Sequence, residues 1–136
     1  MAAETVDQPR LLIVDDAPQN LRLLNGILRG NYRISVAVSG LEALELAAAR
    51  PPDLILLDVS MPGMDGFEVC RRLKAAPATQ EIPVIFVTGL TEEEGRSRGI
   101  EAGGADFIVK PIDPVTLQAK ITACLGYSLT ERGNGG

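Results

Sequence analysis

Five polar residues stand where apolar runs stop. Leu11-Leu12-Ile13-Val14 ends in Asp15-Asp16, and Leu54-Ile55-Leu56-Leu57 ends in Asp58. Val84-Ile85-Phe86-Val87 ends in Thr88, and Phe107-Ile108-Val109 ends in Lys110. Three carboxylates brought together repel one another unless protons or a cation neutralise them. An oxygen-only donor set, in a chain without histidine, suits a hard divalent ion such as Mg²⁺, which takes one or two carboxylates and keeps several waters. An anion held by that ion, a lysine and a hydroxyl is most naturally a phosphoryl group, because these groups stabilise its spread charge. Neither a GxxxxGK[ST] loop nor a GxGxxG fingerprint occurs, so nucleotide binding has no support and the protein's own Asp58 is the expected acceptor. Singly, each acid reads as a solvated turn residue and Lys110 as a salt-bridge partner. Their arrival at matching strand ends carries the argument.

The elements that must deliver them follow from periodicity. Runs of apolar residues without alternation read as strands buried on both faces of a parallel sheet. A second strand, Tyr32 to Val38, carries Ile34, Val36 and Val38 on one face and ends only in Ser39-Gly40. Three- and four-residue spacing marks helices through Leu21, Leu24, Ile27 and Leu28, through Phe67, Cys70 and Leu73, and through Leu117, Ile121 and Cys124. Leu41, Leu44 and Leu46 with a run of alanines give another, closed by Pro51-Pro52. The polar segment Glu92 to Ala102 contains Gly95 and Gly99 and reads as a mobile helix. Five strands alternating with five helices predict an α/β fold: a doubly wound, flavodoxin-like (βα)5 domain whose five-stranded parallel sheet has the order 2-1-3-4-5. In that order the first and third strands are neighbours, so Asp15, Asp16 and Asp58 converge at the carboxyl edge, where open α/β sheets bind ligands.

The totals bound the rest. A chain of 136 residues suits one domain, expected as a tail over 1–9, a domain over 10–126, and a flexible glycine-rich tail or linker over 127–136. A net charge of −5 without a basic cluster argues against direct nucleic-acid binding. No apolar run approaches the roughly 18 residues of a membrane span. The N-terminus lacks the features of a signal peptide, and Cys70 and Cys124 lie far apart without a CxxC spacing, so reduced thiols in a cytoplasm are expected.

The motifs IVDD (13–16), LLDVSMPGMDG (56–66), VTG (87–89) and GADFIVKP (104–111) together resemble the receiver domain of two-component response regulators, of the chemotaxis-receiver kind, from about Arg10 to Leu125. The resemblance implies that Asp58 receives a phosphoryl group from a phosphohistidine on a histidine kinase or phosphotransfer protein. It implies Mg²⁺ ligated by Asp16, Asp58 and the backbone carbonyl of Ser60, with Asp15 acting through water. Thr88 and Lys110 are then the groups that bind phosphoryl oxygens, Gly89 leaves room for them, and Lys110-Pro111 is a cis peptide. Phe107 matches the switch aromatic, which turns inward as Thr88 moves and alters the face formed by the fourth helix, fifth strand and fifth helix. Ser60 and Leu90 line the path of attacking water, and a leucine cannot orient water, so slow self-dephosphorylation is expected.

Such a chain is a signalling module and not a turnover enzyme. The sequence is compatible with a homodimer through the altered face, and with either a single-domain regulator or one followed by an output domain beyond residue 136. The run over 88–111 looks like receivers that precede cyclic-di-GMP synthesis or degradation domains. The alternative is a Mg²⁺-dependent phosphatase with an aspartyl nucleophile, which needs a second acid where this chain has Ser60, and a cap insertion. Flavin binding is disfavoured because the acid cluster repels a flavin phosphate.

Overall fold

Each apolar run becomes a strand and each stretch of helical spacing a helix, in strict alternation. The computed structural model describes residues 8–89 and 92–135. In chain order the elements are β1 (Arg10–Val14), α1 (Pro18–Leu28), β2 (Arg33–Ala37), α2 (Gly40–Ala49), β3 (Leu54–Asp58), α3 (Gly66–Ala75), β4 (Val84–Thr88), α4 (Glu92–Ala102), β5 (Asp106–Val109) and α5 (Pro114–Gly135). The sheet runs β2-β1-β3-β4-β5 with every pair parallel, which is the expected 2-1-3-4-5 order of a flavodoxin-like domain.

Side-chain alternation along the central strands divides the core in two. Leu12, Val14, Ile55, Leu57, Val84 and Phe86 meet α2, α3 and Ala102 of α4 on one face. Leu11, Ile13, Leu54, Leu56, Ile85 and Ile108 meet α1 and α5 on the other. All five residues of β3 and of β4 are buried, as expected for central strands of a parallel sheet. Among the described residues no helix is long and apolar enough to cross a membrane.

Local chemistry fixes where the helices begin. Ser39 Oγ accepts from Glu42 N–H at 3.1 Å while Glu42 Oε1 accepts from Val38 N–H at 2.7 Å, a reciprocal cap that starts α2. Asp65 accepts from Glu68 N–H at 2.9 Å and starts α3. Thr79 Oγ1 donates to Leu73 O at 2.7 Å, satisfying a carbonyl at the far end of α3.

Several expectations are corrected. The chain from Tyr127 to Gly135, expected as a flexible tail, is helical and extends α5; no proline interrupts it, and propagating an existing helix is far easier than nucleating one. Residues 1–7 of the expected N-terminal tail lie outside the described residues, whereas Gln8 and Pro9 are hydrogen-bonded, to Gly30 and Arg33. The second strand ends at Ala37, and Val36 on it and Val38 just past it are 44% and 53% exposed, because an edge strand is only partly covered. In α2 the buried residues are Gly40, Ala43 and Ala47, while Leu41 is exposed. The helix expected over Glu92 to Ala102 is present as α4, and its Gly95 and Gly99 are buried against the sheet. A Cβ at Gly99 would lie 3.1 Å from the Phe86 ring, so small residues there allow the helix its close approach.

Candidate functional site

Strand register brings the polar residues level. Val14 pairs with Leu57, Asp58 with Val87, and Thr88 with Val109. Asp15 and Asp58 therefore emerge level at one edge, with Thr88 one residue and Lys110 two residues further along. Backbone bonds extend the ladder past the strands: Asp15 N–H donates to Ala37 O at 3.1 Å, Val59 N–H to Val87 O at 3.1 Å, and Lys110 N–H to Thr88 O at 2.7 Å. The functional side chains thus hang from ordered backbone.

Asp15, Asp16 and Asp58 each offer an oxygen, and these three atoms lie within 4.8 Å of one another. Asp15 and Asp58 are only 2% and 3% exposed, whereas Asp16 faces solvent. Lys110 Nζ donates to Asp58 Oδ1 at 3.1 Å. Burial pushes the Asp58 carboxyl above its ordinary range; the Lys110 hydrogen bond opposes that push, and the negative charge of Asp15 adds to it. Three carboxylates and one ammonium leave a formal −2, the charge that a divalent cation cancels. The donor set is oxygen throughout and has one exposed member, so Asp15, Asp16 and Asp58 fit a hard, partly hydrated cation.

Ser60 is exposed, and its backbone N–H weakly opposes the upward push of burial on the Asp58 carboxyl. Thr88 is 1% exposed, with its methyl against α4: a Cβ at Gly95 would lie 3.3 Å from both Thr88 Cγ2 and a carbon of the Phe107 ring. Among the described residues nothing lies within 4 Å of a Cβ built at Gly89. Phe107 is half-buried against the core cluster that contains Phe86, with the Arg96 guanidinium 5.9 Å and Lys120 Nζ 5.5 Å from its ring centroid. The Lys110-Pro111 peptide is cis. Leu90 lies outside the described residues.

Two residues that sequence reasoning does not single out also shape the site. Asn20 Nδ2 donates to Asp15 Oδ2 at 3.0 Å; its only sequence signal is a position one turn into the helix that follows Asp15-Asp16. Gly66 packs on the backbone of Asp58, so that a Cβ there would meet Asp58 O at 2.4 Å. The connection between Asp58 and Gly66 is anchored by Val59 and Met61, both buried in the core, and turns at Gly63, whose φ of +79° favours glycine.

Comparison with known proteins agrees with this geometry. The family model described as response regulator receiver domain matches residues 11–122. Response regulator PleD of Caulobacter vibrioides is 48% identical over 121 residues, which cover 88% of this chain. The chain spans only 27% of the length of that relative. A response regulator receiver domain protein (CheY-like) from Methanospirillum hungatei JF-1 superposes with a TM-score of 0.84 at 28% identity, covering 92% of this chain and 99% of that one. The receiver domain of a sensor histidine kinase from Pseudomonas aeruginosa PAO1, solved with a magnesium ion coordinated in its active site cleft, gives 0.81 at 28% identity, covering 88% and 98%.

Proposed function

The chain belongs to the response regulator receiver domain family, and from that premise we propose that Asp58 accepts a phosphoryl group from a phosphohistidine on a histidine kinase or phosphotransfer protein, with Mg²⁺ at the acid cluster. One observation carries the proposal: a nearly fully buried carboxylate stands among two further acids and 3.1 Å from a lysine ammonium. An Asp58 carboxylate oxygen attacks phosphorus, the P–O bond forms as the P–N bond breaks, and the imidazole nitrogen leaves with the electron pair. Ionised Asp58 is the competent form, and Lys110 favours it.

Lys110 then moves its ammonium from the free carboxylate to a phosphoryl oxygen, and the Thr88 hydroxyl supplies a second donor. Bound Mg²⁺ supplies positive charge to the oxygens of the transferring group. The residues proposed to hold it are Asp16, Asp58 and the carbonyl of Ser60, with Asp15 through water. The magnesium in the Pseudomonas aeruginosa receiver structure supports this choice of ion.

The Thr88 methyl and the Phe107 ring lie together beneath Gly95. Displacing Thr88 toward a phosphoryl group therefore alters what α4 rests on. We propose that this changes the α4-β5-α5 face, read by a second copy, a partner, or an output domain of the cyclic-di-GMP class that the run over 88–111 suggests. Any hydrolysis of the phosphoryl group is self-directed, and Ser60 at the solvent edge leaves water a path. The phosphatase alternative has less support, since Ser60 is no acid and only seven residues separate Asp58 from α3.

The test is intact-mass measurement after incubation with a small phosphodonor and Mg²⁺. The wild-type chain gains one phosphoryl group and Asp58→Asn gains none. An unmodified wild type, or steady turnover of phosphate esters, refutes the proposal.

A further inference from the structure

Asn20 belongs to none of the motifs, yet it is bonded into the acid cluster. Its Nδ2 donates to Asp15 Oδ2 at 3.0 Å, and the backbone N–H of Ala17 donates to Asp15 Oδ1 at 2.9 Å. Each oxygen of Asp15 therefore has its own donor, and both donors come from the start of α1. The second torsion of an aspartate side chain has a broad minimum, so nothing intrinsic sets the angle of this carboxylate. Asp15 is 2% exposed, so bulk water does not set it either. The two donors from α1 do. Because an ionised carboxylate has about four acceptor directions, each oxygen keeps one for the cluster.

The chemical type at this position matters as much as its reach. The three acids and Lys110 sum to −2, which matches a divalent ion. A lysine or arginine at position 20 would add a positive charge and compete with that ion, whereas an amide donates a hydrogen bond and leaves the sum unchanged. We propose that Asn20 is a positioning residue of the metal site: its amide holds the Asp15 carboxylate turned toward Asp16 and Asp58 without neutralising it. The inference rests on the reading of that cluster as a Mg²⁺ site and adds the group that keeps the cluster in order. Outer partners that orient a metal's ligands typically account for about 10–100-fold in affinity.

The experiment measures Mg²⁺ affinity of the full chain by calorimetry for wild type, Asn20→Ala and Asn20→Asp. It adds phosphorylation rates with acetyl phosphate at limiting and at saturating Mg²⁺, and thermal midpoints with and without the ion. Asn20→Ala is expected to bind Mg²⁺ about tenfold more weakly. Its phosphorylation rate falls at limiting Mg²⁺ and returns to the wild-type value at saturation, a split that general damage to the fold does not produce. Asn20→Asp keeps the volume but exchanges the donor for a carboxylate beside Asp15. Its metal-free midpoint falls below that of Asn20→Ala, and Mg²⁺ raises it by more. Wild-type affinity in Asn20→Ala, or a rate deficit that persists at saturating Mg²⁺, overturns the inference while the metal reading stands. Absence of Mg²⁺ binding by the wild type overturns both.

Discussion

Replacing Gly66 by alanine tests whether the first turn of α3 sets the position of Asp58. The added Cβ would lie 2.4 Å from Asp58 O, 2.9 Å from Val59 Cα and 3.1 Å from Asp58 C. All three are backbone atoms, so no side-chain rotation relieves the overlap. Ordinary contact requires about 1 Å more room, obtained by lifting α3 or bending the end of β3. Either movement strains the bond from Gly66 N–H to Val59 O, now 2.9 Å. Overpacking of this kind costs about 1–3 kcal/mol. For a domain of this size 1 kcal/mol corresponds to a fall of about 3–5 °C in Tm, so circular-dichroism melts should show a loss of about 3–15 °C. The chemistry is more sensitive still. A displacement near 1 Å at a reacting group can cost about a hundredfold in rate, and phosphorylation followed by intact mass should slow by roughly that factor. Gly26→Ala serves as the control: Gly26 lies inside α1 with nothing within 4 Å of a Cβ, so it should gain about 0.5–1 kcal/mol of stability and phosphorylate normally. A Gly66→Ala chain that melts and phosphorylates like wild type refutes the reasoning.

Three further outcomes are expected. Burial raises the Asp58 pKa in the folded chain, so the fold holds that proton more tightly than the unfolded chain does. Stability therefore falls as pH rises from the ordinary carboxylate range to the raised value. Asp58→Asn should raise the metal-free Tm at neutral pH, and the gain should vanish in acid; an unchanged Tm counts against the burial argument. Thr79→Val removes a buried donor to Leu73 O and should lower stability by about 1–3 kcal/mol in urea titration. The Cys70 thiol is fully buried and pushed up to about 11, so the native chain should resist alkylation at Cys70 at neutral pH and react there once unfolded, as peptide mass mapping would reveal.

The polar edge of the sheet is legible in the sequence because its residues interrupt runs that must be buried. Asp58 follows four apolar residues in a fully buried strand, and crossover handedness limits the strand orders enough to place its neighbours. Lys110 stands out by the same signal. Asn20 does not, because its link to Asp15 depends on how α1 begins, which periodicity does not encode. The packing surface of α2 escapes periodicity for a related reason. Large residues such as Leu41 attract attention as core, yet Ala43 and Ala47 are the buried ones, since closeness of helix to sheet selects small side chains there. The glycines near the end of α5 suggest a tail, although after an established helix each costs only about 1 kcal/mol.

The glycine underside of α4 has a mechanical consequence. Helices α1, α3 and α5 are keyed to the sheet by large apolar side chains, among them Leu24, Phe67 and Leu117, and sliding them would mean withdrawing each key from its socket. Beneath α4 the keys project upward instead, as the rings of Phe86 and Phe107 meeting a smooth surface of glycine. Turning one ring would change what the helix rests on without unseating any side chain that the glycine face itself contributes. The helix that rests on the Thr88 methyl and on these rings would thereby be the one repositioned by a change of ring rotamer.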